Sequence, residues 1–157
     1  MIKKSFILVL LIISTVSCED KRELIEITDD CKFYNNILTS CFYGSIGSEY
    51  DENVFRDNES FQEYGDLVRI DNLNDQCDTA QLPSIDFENY SLLSKKTSGG
   101  GCDATYSRNI FKDTKNKKII YEIDAEYEGN CKVQFISGNW AITPKIPDDY
   151  IIEFRLK

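Results

Sequence analysis

Between Ile119 and Glu128 the side chains alternate, with Ile119, Tyr121, Ile123, Ala125 and Tyr127 on one parity and Ile120, Glu122, Asp124, Glu126 and Glu128 on the other. An extended chain puts successive side chains on opposite faces, so the run predicts a strand with one apolar and one wet face. Its neighbours read the same way. Cys102, Ala104, Tyr106 and Ile110 share a parity, and Asp113-Thr114-Lys115-Asn116 supplies a hairpin turn. Glu128-Gly129-Asn130 predicts a turn into a strand through Cys131, Val133 and Phe135, and Ser137-Gly138-Asn139 a further turn into Trp140-Ala141-Ile142. Tyr150, Ile152, Phe154 and Leu156 then predict a closing strand with a charged outer face. Closely spaced strands and turns indicate a mostly β chain, a single antiparallel β-sandwich or strongly curled sheet.

The earlier part of the chain is less regular. Residues 41–47 read as a strand ending in glycine. Phe61, Tyr64, Leu67 and Val68 recur at helical spacing behind Asn58, a candidate N-cap, predicting one short helix near 58–68. Gly65 weakens that helix. Residues 71–83 are a polar loop whose acids and amides suggest calcium, but the spacing fails because neither the glycine nor the closing glutamate of such a loop is in place.

The first residues set an expected address. Lys3 and Lys4 precede the apolar run Phe6 to Ile13, which is too short for a transmembrane helix and has the anatomy of a signal peptide. Ser14-Thr15-Val16-Ser17-Cys18 resembles a bacterial lipobox, which implies cleavage after residue 17 and acylation of Cys18. Glu19 and Asp20 resemble the surface-export signal of Bacteroidota lipoproteins, and Asp78-Thr79-Ala80 a short O-glycosylation motif of that group. The expected organisation is a signal peptide over 1–17, an anchor and charged tether over 18–30, and a single mostly β domain over 31–157. The expected location is the bacterial outer membrane, with Cys18 holding the chain to the lipid and the domain facing the periplasm or the cell surface.

Charge and composition then exclude some tasks. Without residues 1–17 the chain carries 16 basic and 27 acidic side chains, a net charge of −11, which repels nucleic acid. Histidine is absent, removing the commonest general base and metal ligand. No metal and no cofactor is expected. Cys31, Cys41, Cys77, Cys102 and Cys131 contain no C-x-x-C pair and read, outside the inner membrane, as disulfide candidates. If separate strands flank the central one, Cys102 and Cys131 stand two strand spacings apart, about 9.6 Å, and a bridge needs the chain to bend there. Gly99, Gly100 and Gly101 permit that bend, so Cys102 to Cys131 is the preferred pair. The pairing of Cys31, Cys41 and Cys77 stays open.

Ile85-Asp86-Phe87, Tyr90, Leu92-Leu93, Gly99-Gly100-Gly101 and the run Trp140-Ala141-Ile142-Thr143-Pro144-Lys145-Ile146-Pro147 follow one another in an order that resembles the C-terminal domain of PrcB-type protease complex subunits. The order is also similar to that of small Bacteroidota lipoproteins. The resemblance covers residues 83–154 and implies a β domain that assists an extracytoplasmic protease without being catalytic. The family's Thr-Gly-Gly-Tyr turn is replaced here by Gly99-Gly100-Gly101-Cys102.

The expectation is therefore a noncatalytic lipoprotein acting as a protein-binding or protease-complex accessory module, with Gly99, Gly100, Gly101, Trp140 and Tyr150 as candidate contacts. Glycan binding through exposed aromatics is one alternative. A second is protease inhibition, because immunoglobulin-like cysteine protease inhibitors resemble this outline of a glycine turn and a tryptophan loop. The third is a carboxylate enzyme acting on glycans through Asp86, Glu88, Asp148 or Asp149.

Overall fold

The computed structural model describes residues 24–38, 51–69 and 81–157. Cys18, Cys41, Cys77, the predicted strand at 41–47, the motif at 78–80 and most of the loop at 71–83 lie outside them. The described chain forms β1 (Leu24–Glu26), β2 (Lys32–Tyr34), β3 (Glu52–Phe55), α1 (Asn58–Val68), β4 (Tyr90–Lys95), β5 (Thr97–Asp113), β6 (Lys118–Ser137), β7 (Trp140–Pro144) and β8 (Ile151–Leu156). Two open four-stranded sheets result, ordered β1-β5-β6-β8 and β2-β7-β4-β3. The fold is mostly β and sandwich-like, as expected, and neither sheet closes on itself. It is not wholly antiparallel, because β8 runs parallel to β6.

Period-two side chains build three layers. On the face of the second sheet turned to the first, register places Val54, Leu93, Ala141 and Phe33 side by side. They meet Ile110, Ile119, Tyr121 and Ile123 of the first sheet in one cluster with Ile146. The opposite face carries Phe55, Leu92 and Trp140, which α1 covers with Phe61, Tyr64 and Val68. Ile120, assigned by its parity to a wet face, is also buried; Phe111 and Glu153 are its register neighbours.

The helix spans the predicted residues, with two corrections. Its N-cap is Asp57 rather than Asn58, since the Asp57 carboxylate accepts the Ser60 N–H at 2.8 Å, leaving Asn58 as the first helical residue. Leu67 is exposed, and buried Gly65 takes the packing position. A Cβ at Gly65 would stand 2.4 Å from Leu82 Cδ1, so close approach rather than flexibility explains the glycine.

Two further expectations change. The stretch expected as a tether enters the sheet from Leu24, because β1 pairs with Phe111–Asp113 of β5. Glu128-Gly129-Asn130 does not separate two strands. Strand β6 continues through it, with Gly129 to Lys132 bulging opposite the single residue Cys102 between the pairs Gly101↔Val133 and Asp103↔Glu128.

Candidate functional site

The β5/β6 ribbon is too long to lie straight. Thr97 and Arg108 would be roughly 36 Å apart along an extended strand. Both nevertheless bond the side chain of Asn139, whose Nδ2 donates to Thr97 Oγ1 at 2.8 Å while Arg108 Nε donates to its Oδ1 at 3.0 Å. The ribbon therefore doubles back, and it does so at the bulge. There Cys102 and Cys131 are bridged with Cα atoms 4.7 Å apart. The preferred pair is the one formed, but because β5 and β6 are direct neighbours rather than strands on either side of a third.

Glycine makes the fold-back tight. A Cβ on Gly99 would lie 2.3 Å from the Tyr127 ring, and one on Gly101 would lie 2.7 Å from Glu128 O. Gly99, Gly100 and Gly101 are thus not a loop but part of β5, and Gly99 is the floor on which Tyr127 rests. Tyr106 meets Tyr127 edge to face, ring centroids 6.3 Å apart.

Asn139 locks the returning ribbon to the second sheet. It is fully buried at φ +42°, a left-handed conformation that asparagine tolerates better than most residues. Its Nδ2 also donates to Lys95 O at 3.0 Å, and its carbonyl oxygen accepts the Tyr121 hydroxyl at 2.9 Å. Arg108 further donates to Asn35 Oδ1 and stacks over Tyr106, 5.1 Å from its centroid. Burial holds the Arg108 pKa below its ordinary value, and its partners among the described residues are amides and a ring rather than carboxylates.

The other candidate residues do not converge on this ribbon. Trp140 is 3% exposed, packed between α1 and the second sheet against Phe55, Phe61 and Tyr64. It is a core residue and leaves the list of surface contacts. Tyr150 packs at the edge of the inter-sheet cluster, with Lys112 Nζ 5.3 Å above its ring. Cys31 is a free thiol donating to Ile27 O, and burial pushes its pKa up to about 12.

Three of the four candidate carboxylates are engaged, each with a different partner. Asp86 accepts from Asn89 Nδ2 and the Glu88 N–H, Asp149 pairs with Lys117 at 2.6 Å, and Asp148 lies 3.8 Å from Arg56. Those bonds hold Asp86 and Asp149 below the usual carboxylate range, the wrong direction for a general acid. Among the described residues no cluster of three metal-ligating side chains occurs.

Sequence reading missed two surface features. Val133 and Ile136 on the ribbon are 51% and 55% exposed, and Tyr34 and Tyr90 flank a groove on the second sheet. No protein-family model matches the chain, and no curated protein or solved structure matches it either.

Proposed function

We propose that the chain is a noncatalytic extracytoplasmic binding module, tethered by an acylated Cys18, that presents the folded-back ribbon to a protein partner. The observation that carries this reading is the ribbon's open edge. Strand β8 pairs with β6 only from Lys118 to Ile123, and β1 with β5 only from Leu24 to Glu26, so β6 beyond Ile123 has no second strand beside it among the described residues. An edge that also exposes Val133 and Ile136 is suited to accept an added strand, with backbone bonds giving affinity and side chains giving selectivity. The disulfide suits an oxidising compartment. The resemblance over residues 83–154 supplies the partner class, an extracytoplasmic protease or another envelope protein.

Crosslinked affinity purification of the anchored protein from its own envelope tests this. A stoichiometric partner, lost when Val133→Lys and Ile136→Lys are combined in a chain of unchanged melting temperature, is the expected result. A wild type that recovers no partner, or a variant that keeps it, overturns the proposal. Cys18→Ala is expected to move the protein from the membrane pellet to the soluble fraction.

A further inference from the structure

The second sheet carries a groove of about 240 Å³ lined by Asp30, Lys32, Tyr34, Ser84, Ile85, Asp86, Tyr90 and Ile142. Its position follows from register. Along β7, Trp140 pairs with Tyr34, Ile142 with both Lys32 and Leu92, and Pro144 with Tyr90, so the tyrosines stand at diagonal corners about Ile142. All share the parity of the face that α1 covers over Leu92 and Phe55. Beyond the helix the face is open, and Tyr34 and Tyr90 remain 39% and 40% exposed.

What distinguishes the groove is that its polar groups are uncommitted apart from Asp86, whose carboxylate accepts from Asn89 Nδ2 and the Glu88 N–H. Among the described residues the side chains of Asp30, Lys32, Tyr34, Ser84 and Tyr90 make no hydrogen bond or ion pair. Other clefts differ. The one beside Thr97 is lined by Lys95, Lys96 and Lys157, already paired with Glu52, Asp51 and Glu122. The one at the start of α1 holds Lys145, whose ammonium donates to the carbonyls of Arg56 and Phe87.

We propose that the Tyr34–Tyr90 groove is a binding site for a neutral sugar unit of a glycan. A pyranose ring offers apolar C–H faces and a rim of hydroxyls that both donate and accept. The tyrosine rings and Ile142 match the first, and phenol, serine, carboxylate and ammonium groups match the second. Two carboxylates disfavour an anionic ligand, and Lys32 among them disfavours a cationic one. The volume lies below the roughly 300–1,000 Å³ of pockets that enclose drug-sized ligands, so it fits one or two sugar units of a chain that continues into solvent.

The site is independent of the ribbon, and its test is separate. Saturation-transfer NMR and calorimetry on the full chain in detergent would use neutral oligosaccharides of glucose, xylose, mannose, galactose and N-acetylglucosamine, with polygalacturonate as an acidic probe. At least one neutral probe is expected to bind. Tyr34→Ala and Tyr90→Ala, both at half-exposed positions, should each weaken it about three- to ten-fold, the factor expected for one lost ring contact. Val133→Lys should leave it unchanged. Overturning results are no transfer from any neutral probe, binding of polygalacturonate alone, or binding that survives in both tyrosine variants with melting temperatures intact.

Discussion

Between the sheets, structure is held by apolar burial: Leu93, Ile110, Ile119, Tyr121 and Ile123 all lie in a continuous cluster and are almost wholly shielded from water. In the ribbon, no residue from Cys102 to Asn109 or from Asp124 to Ile136 is buried. That region holds its shape through a covalent bridge, a glycine floor under Tyr127 and the Asn139 node. The difference shows how a chain can maintain a defined surface without a core beneath it, by restricting the unfolded ensemble and by directional polar bonds.

The largest expected effect lies on the apolar side. Trp140→Ala should destabilise the domain by about 3–5 kcal/mol, read as a fall in melting temperature, since it empties the space between α1 and the second sheet. Removing the bridge with Cys102→Ser and Cys131→Ser should cost about 2–4 kcal/mol. The comparison predicts where. Hydrogen exchange should quicken at residues 98–109 and 124–136 while Leu93 and Ile119 to Ile123 stay protected, and uniform loss of protection would erase the distinction. Asn139→Ala should cost about 1–3 kcal/mol by stranding Arg108 and the Lys95 carbonyl. Asn139→Gly, which suits the left-handed backbone, should cost less than alanine if strain contributes and the same if only the polar bonds matter.

The smallest effect belongs to the helix cap. Asp57→Ala should cost about 1 kcal/mol in denaturant titration. The Ser60 N–H, and after it the Ser60 hydroxyl, hold the Asp57 pKa below its ordinary 3.8. Its charged cap therefore contributes fully above pH 3.8, and that contribution is lost as the pH falls through the lower folded value. Asp57→Asn should flatten this acid limb while keeping most of the cap, and an unchanged acid limb would exclude Asp57 as its source.

Legibility in the sequence followed the same divide. Strand β6 was readable from Ile119 to Tyr127 because Ile119, Tyr121 and Ile123 are buried on one face while Glu122, Asp124 and Glu126 on the other are not, the condition that creates alternation. Strand β4 was not, since Ser91, Leu92, Leu93 and Ser94 are buried on both faces and leave no period. Strand β1 was hidden because all three of its residues are exposed. The bulge at Gly129 to Lys132 has a turn's composition, and only the bridge to Cys102 reveals that the strand goes on. Of the expected contacts, Trp140 is removed by burial, which depends on the helix that covers it and not on its neighbours in sequence. The groove on the second sheet joins residues more than fifty positions apart, Tyr34 with Tyr90, and local patterns carry no trace of such a meeting.

Strand β8 follows every other element in the chain, yet it bonds to β6 at both ends, from Ile151 N–H to Lys117 O and from Lys157 N–H to Ile123 O. A chain delivered amino end first leaves that side of β6 bare until β8 emerges. During the interval the stretch Ile119-Ile120-Tyr121 is an unfilled template that another nascent copy could occupy. The vulnerable quantity is then a waiting time rather than an equilibrium constant. Faster delivery of residues 151–157, or an escort for β6 until they arrive, should raise the yield of folded protein even where the finished sandwich is no more stable.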